Sequence, residues 1–245
     1  MTRRAGLLML TATFASAQPS TQLNLMPWPA KLEMGQGSLA VGSPIRIVTG
    51  GRPYEGGCQL LASAWESIRK SNPNIELISL GPHFADLPGK LKSVCRDAGF
   101  IDSEESFRRF LSECHLAFVS GPDQPNFHGR WSFPSRTVDY LMAGLPIVAC
   151  LAPEMAAEQV LRPITPQSVA LVHNESEIVQ GITRLTAAPD AWSTASRAAR
   201  ELAETRMSIE IVRSKVIQTL QAACNRALMS PHFPPLPGTP GRGPG

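Results

Sequence analysis

Hydrophobic and polar positions change rhythm near residue 45. From Ile45 onward, short apolar runs alternate with stretches whose apolar residues recur at helical spacing. The runs Ile45–Thr49, Ile75–Leu80, Leu116–Ser120, Pro146–Leu151 and Val169–Val172 predict strands, and Gly99–Ile101 a further short one. Between the first two, Leu61, Ala64, Trp65 and Ile68 predict a helix over Gly57–Ser71, and a second is expected over Leu87–Ala98. Phe107, Phe110, Leu111 and Cys114 mark a third, with Asp102 and Glu105 spaced as a capping pair. Ser135–Ala143 reads as a short helix stopped by Gly144. Three more helical patterns follow, with Ile178, Ile182 and Leu185, then Ile209, Val212, Val216 and Leu220, as inner faces. Strands separated by such helices imply βαβ units with right-handed crossovers. The fold class expected over residues 46–228 is therefore α/β: a doubly wound, Rossmann-like parallel sheet with helices on both faces.

The ends follow other rules. Residues 1–17 carry Arg3 and Arg4, an apolar stretch from Ala5 to Phe14, and Ala15-Ser16-Ala17 before Gln18. That three-part layout is expected of a secretory signal peptide. A genuine signal predicts a secreted or periplasmic protein; an artificially joined N-terminus leaves a cytoplasmic one. Residues 18–45 are poor in charge and broken by prolines and glycines, which suits an irregular or short-strand segment. Ten of the fifteen residues from Pro231 to Gly245 are Pro or Gly, so 229–245 are expected to form a disordered tail.

Composition narrows the partners. Of the 245 residues 43% are hydrophobic and 18% charged, the balance of a globular chain. A net charge of +3 gives no electrostatic footprint for nucleic acid. No apolar run reaches the ~20 residues of a membrane-spanning helix. The five cysteines (Cys58, Cys95, Cys114, Cys150, Cys224) form no C-x-x-C pair and read as buried free thiols. They suit a reducing compartment, whereas the N-terminus suits export. His83, His115, His128, His173 and His232 show no metal-ligand spacing, and only His128 falls in a loop near the expected cleft. No metal, cofactor or nucleophilic triad is expected. Asn174-Glu175-Ser176 matches a glycosylation acceptor, a tripeptide too short to carry weight.

In an open parallel sheet, ligands sit beyond the carboxyl ends of the strands. The loops to consider are thus Gly50–Gly57, Gly121–Pro134 and Leu151–Glu154. In the first, glycines let backbone approach a ligand and Arg52 offers a bidentate contact to phosphate, although an ordinary βα turn explains the same residues. In the second, Ser135 is expected to cap a helix whose free N–H groups face the ligand edge. Asp139 lies one turn on, placed to accept bonds from two neighbouring hydroxyls of a ribose or simply to complement the helix dipole.

Three stretches, in order, resemble the C-terminal, donor-binding half of retaining glycosyltransferases built from two Rossmann-like domains (GT-B). They are Gly51-Arg52…Gly57, Gly99-Phe100-Ile101 through Leu116–Ser120, and Phe133-Pro134-Ser135-Arg136…Asp139-Tyr140-Leu141-Met142-Ala143-Gly144-Leu145-Pro146-Ile147-Val148-Ala149. The third is the specific one. The resemblance implies a nucleoside diphosphate sugar as ligand and glycosyl transfer as the family's reaction. Asp139 would hold the ribose, Ser135 and Arg136 would lie near the diphosphate, and Arg52 would be the arginine of the first turn. The catalytic residues are not identified by it. Two positions depart from the pattern: Gly56 stands where the family has a diphosphate-binding lysine, and Trp131 where it has the first glutamate of an E-x7-E pair. Nor does Asp123–Arg130 match the donor-hexose loop. The resemblance also implies a preceding acceptor-binding half, so the isolated chain is expected to bind a donor rather than transfer from it, unless a partner chain completes the cleft. A second, short resemblance links Leu23 to Val41 to the start of the small domain that precedes the barrel of family-20 β-hexosaminidases. Two alternatives therefore stand beside the first reading: a non-catalytic exported binding protein, and a hexosaminidase-related secreted protein.

Overall fold

The computed structural model describes residues 38–39, 42–122 and 133–228. The signal-like stretch, almost all of the hexosaminidase-like segment, Trp131, His128, His232 and the Pro/Gly tail lie outside the described residues. Six strands are present: β1 (Ile45–Gly50), β2 (Ile75–Leu80), β3 (Cys95–Asp97), β4 (Leu116–Ser120), β5 (Ile147–Cys150) and β6 (Val169–Leu171). They form one sheet in the order β3-β2-β1-β4-β5-β6. Every neighbouring pair is parallel, with Ile47 opposite both Leu77 and Leu116. This is the doubly wound, Rossmann-like order, and the expected fold class holds.

Helices cover both faces because the strands are apolar on both sides. Along β1, Ile47 belongs to one buried cluster and Val48 to the other; along β4, Leu116 and Phe118 alternate with Ala117 and Val119 in the same way. Helices α1 (Glu55–Ser71) and α6 (Glu175–Leu185) close the first face through Leu61, Trp65, Ile68, Ile178 and Ile182. On the second face lie α3 (Glu104–Ser112), α4 (Ser135–Met142), α5 (Ala156–Leu161) and α7 (Pro189–Arg206), which contribute Phe107, Leu111, Tyr140, Leu141, Leu161, Ala199 and Leu202. A short α2 (Gly89–Lys92) and a final α8 (Ile209–Leu228) complete the set among the described residues.

Four expectations need correction. The helix expected over Leu87–Ala98 is instead a 3-10 turn at Phe84–Asp86, the four-residue α2, and strand β3. Leu87, Leu91 and Cys95 are all buried, and their spacing imitates a helix face. The strand expected at Gly99–Ile101 lies earlier, at Cys95–Asp97. Gly99 itself has φ 64° and accepts the Gly81 N–H at 2.7 Å through its carbonyl, which ends the strand. At α3 the cap is Ser103, not Asp102; its hydroxyl accepts the Ser106 N–H at 3.0 Å. Finally, the inner face expected of α8 is only partly covered: Val212 is buried, but Ile209 and Leu220 are exposed. Periodicity identifies an apolar face without saying what lies against it.

The tripeptide at Asn174 finds a structural role. Asn174 caps α6, its side-chain oxygen accepting the Glu177 N–H at 3.0 Å while its amide donates to Glu177 Oε1 at 2.8 Å. Cys58, Cys95 and Cys114 are buried free thiols, and burial pushes the last two up to about 12. Two depart from that expectation: Cys150 is only partly buried, and Cys224 stands exposed on α8. Among the described residues no helix is long and apolar enough to cross a membrane.

Candidate functional site

The order of the sheet reverses between β1 and β4: chain from β1 proceeds to β2 on one side, and β4 enters on the other. The loops after these two strands therefore run in opposite directions and leave a crevice between them. A cleft of about 160 Å³ lies there. Its floor is Thr49 and Gly50 at the end of β1 and Phe118 to Ser120 at the end of β4. One wall is the Gly51–Tyr54 turn, and the other is Pro134 to Thr137 with Tyr140, from the start of α4. Ser79, His83 and Leu87 close the side towards β2.

The turn after β1 is tighter than expected. Helix α1 starts at Glu55, two residues before Gly57, with Tyr54 at the cap position. Gly51 has φ 87°, a conformation that glycine adopts without strain. Gly57 serves packing rather than ligand approach: a Cβ there would lie 2.6 Å from Ser120 Cβ. Gly50 is held as closely, since its Cβ would meet Leu80 O at 2.8 Å and Tyr140 Oη at 2.9 Å. Arg52 is left exposed on the turn and lines the cleft.

Helix α4 opens at the opposite wall. Ser135 does not cap it, contrary to expectation; Pro134 occupies the cap position and no side chain caps the helix. A proline fits there because the cap residue is extended, with φ −60°, and its missing N–H falls where no intrahelical partner exists. The first-turn N–H groups consequently carry the partial positive charge of a helix N-terminus at the cleft. Arg136 adds a full charge. Its guanidinium stacks over the Phe107 ring, 4.9 Å from the centroid, and its Nη1 donates to Asp139 Oδ2 at 3.4 Å.

Of the four residues singled out by sequence, Arg52, Ser135 and Arg136 line the cleft together. Asp139 is not among the lining residues; it stands one turn deeper in α4, half-buried against Arg136. Burial pushes its carboxyl above the usual carboxylate range, opposed by the Arg136 charge. The described lining includes Arg52, Arg136 and His83 but neither Asp nor Glu. It carries the guanidinium charges of Arg52 and Arg136, the second paired with Asp139.

Among the lining residues that sequence reasoning missed are His83, Thr137 and Tyr140. His83, 2.9 Å from Asp86 Oδ2, stands at the β2 side; it follows Gly81-Pro82 at a strand end, which was the available signal. Thr137 and Tyr140 are fully buried, and neither hydroxyl has a hydrogen-bond partner among the described residues. Burial raises the Tyr140 phenol well above its ordinary value. Buried hydroxyls without partners are uncommon, and each calls for an explanation. Both looked like ordinary members of an apolar helix face. Among the described residues no group of His, Cys, Asp and Glu stands close enough to share a metal ion.

No protein-family model and no curated protein matches the sequence. Solved structures do match the fold. Anabaena HepE in complex with UDP and glucose superposes with a TM-score of 0.57 at 15% identity, covering 75% of this chain and 50% of that one. Sucrose-phosphate synthase from Thermosynechococcus elongatus gives 0.54 at 17% identity, over 77% of this chain and 47% of that one. For a mutant of S. aureus TarM in complex with fondaparinux, alpha-GlcNAc-glycerol and UDP, the values are 0.54, 13%, 76% and 37%. The chain thus spans half or less of the length of these neighbours, and the likeness is one of fold.

Proposed function

We propose that this chain is a nucleotide-sugar-binding domain of glycosyltransferase type, corresponding to the donor-binding half of a GT-B protein. One observation carries the reading: at the point where the sheet order reverses, Arg52, Arg136 and the uncapped start of α4 converge on a cleft whose described lining holds no carboxylate. Two guanidinium forks and a helix N-terminus suit a diphosphate, whose oxygens accept from both. Support comes from the resemblance of Phe133–Ala149 to the family's donor motif. It comes also from the ligands of a structural neighbour, UDP and UDP-glucose with HepE. In a transfer reaction the same groups would stabilise the departing diphosphate. Ser135 contributes through the helix start, and Asp139 stands behind Arg136.

Transfer needs an acceptor-binding half opposite this cleft, which the described residues do not include. Donor binding is therefore the activity proposed for this chain, with transfer depending on that second half. A binding protein without transferase chemistry is the alternative, favoured by Gly56 and Trp131 standing where the family has its lysine and first glutamate. Isothermal calorimetry with UDP-glucose and GDP-mannose tests the reading. Saturable heat from either donor is expected. No heat at millimolar ligand from a folded chain overturns it.

A further inference from the structure

A second groove lies at the opposite end of the sheet from the cleft, and it does not depend on the nucleotide-sugar reading. Strands β2 and β3 pair only from Leu77, which stands opposite Cys95. The first residues of β2, Ile75 and Glu76, therefore have β1 on one side and no strand on the other. The chain just before β3 closes α2 instead of pairing: the Val94 N–H donates to Leu91 O at 3.2 Å. The gap is a groove of about 350 Å³ between Pro73–Leu77 and Ser93–Arg96, larger than the cleft. Trp65 of α1 lines it from the face that also buries Ile75 and Leu77. Only 3% of Trp65 is exposed, and its indole N–H has no acceptor among the described residues. A buried indole N–H ordinarily finds one.

Positive charge gathers at the rim. Arg69 lies one turn after Trp65 on the same side of α1, and Arg96 belongs to β3. Both are exposed, and neither forms an ion pair among the described residues. Glu76, the carboxylate of the described lining, is already held by Arg46 Nε at 3.3 Å. Two guanidinium forks without counter-ions above an apolar lining suit an amphipathic anion. Each fork matches a carboxylate in geometry, and the apolar side chains match a hydrocarbon body that a fully polar anion lacks. The volume falls at the small end of the range for pockets that hold small molecules. The geometry points to a second binding site, at the amino ends of β2 and β3, in which Arg69 and Arg96 hold the carboxylate of a small molecule whose apolar body lies against Trp65.

Nitrogen-15 NMR of the four tryptophan indole N–H groups tests this on the full chain, with the Trp65 signal identified as the one that Trp65→Phe removes. The probes are 4-phenylbutyrate, 4-phenylbutanol, which keeps the apolar body without the charge, and butyrate, which keeps the charge on a shorter body. Titrating phenylbutyrate should move the Trp65 signal saturably, with a midpoint of about 1 mM. The alcohol and butyrate should each bind about tenfold more weakly. The Arg69→Gln, Arg96→Gln double variant should weaken phenylbutyrate by about tenfold and leave the alcohol unchanged. Both substitutions are at exposed positions, and the remaining indole signals check the fold; the comparison of acid with alcohol in wild type stands without any variant. No saturable Trp65 shift at tens of millimolar phenylbutyrate overturns the inference. So does equal binding of acid and alcohol, or equal binding of the acid by wild type and a folded double variant. A Trp65 shift that UDP competes away places the acid in the cleft and overturns it as well. Failure of UDP to bind, by contrast, overturns only the nucleotide-sugar reading.

Discussion

The two ends of strands β1 and β4 are built to opposite rules. At the amino end of β4, His115 has every polar group paired. Its Nδ1 accepts the Arg46 N–H at 3.0 Å, its Nε2 stands 3.2 Å from Ser38 O, and its carbonyl accepts the Trp192 indole N–H at 2.7 Å. The Trp192 ring meets the imidazole edge-on at 6.1 Å. At the carboxyl end of the same strands the cleft leaves the Thr137 and Tyr140 hydroxyls unpartnered, and Arg52 stands exposed on its turn. The pairing at His115 anchors one end, while the Thr137 and Tyr140 hydroxyls at the other are buried without partners among the described residues. A buried polar residue is therefore read by its partners, not by its burial.

Substitutions at each end sharpen or break that contrast. The largest effect is expected where the carboxyl end is tightly packed despite its unpaired hydroxyls. Gly57→Val would drive a Cβ to within 2.6 Å of Ser120 Cβ and should destabilise the chain by about 3 kcal/mol in urea unfolding. A tolerated valine would mean that this end is loose throughout. Next comes Trp192→Phe, which keeps an aromatic ring but removes the donor to the His115 carbonyl and part of the indole's buried volume. A loss of about 1–3 kcal/mol is expected by the same measurement.

The amino end should also respond to acid. Burial lowers the His115 pKa below its ordinary 6.5, with the Ser38 contact opposing. The neutral ring accepts from Arg46, which a protonated ring cannot do. The unfolded chain therefore binds the proton more readily, and stability falls as pH drops below 6.5 towards the lower folded value. Thermal unfolding between about pH 7.5 and 5 should show this decline, and His115→Gln should flatten it. The smallest effects belong to the cleft. Tyr140→Phe and Thr137→Val remove hydroxyls that bond nothing among the described residues. Each should leave stability within about 1 kcal/mol of wild type, or raise it. A marked loss of stability would reveal a hidden partner and erase the difference between the two ends.

Much of the fold was legible because both sheet faces are buried. Strands such as Leu116–Ser120 then appear as unbroken apolar runs, and helices such as α1 and α6 as single stripes against them. What failed were elements too short to show a period. Strand β3 has three residues, two of them exposed, and its buried Cys95 extended the apparent stripe of Leu87 and Leu91. Arg52 and Ser135 were singled out by their place in loops after strands and Arg136 by the family resemblance, and all three line one cleft. The relation of Asp139 to that cleft was not legible. Spacing puts it beside Arg136 on one face of α4, but only tertiary packing shows Phe107 of α3 on the guanidinium's other face.

The central claim, that two arginines and the start of α4 form a diphosphate site, is tested most directly by titrating UDP into wild-type chain and into an Arg52→Ala, Arg136→Ala double variant. The account predicts saturable heat for the wild type and a loss of about a hundredfold or more in affinity for the variant, with unchanged circular dichroism. Equal binding by both proteins would contradict it.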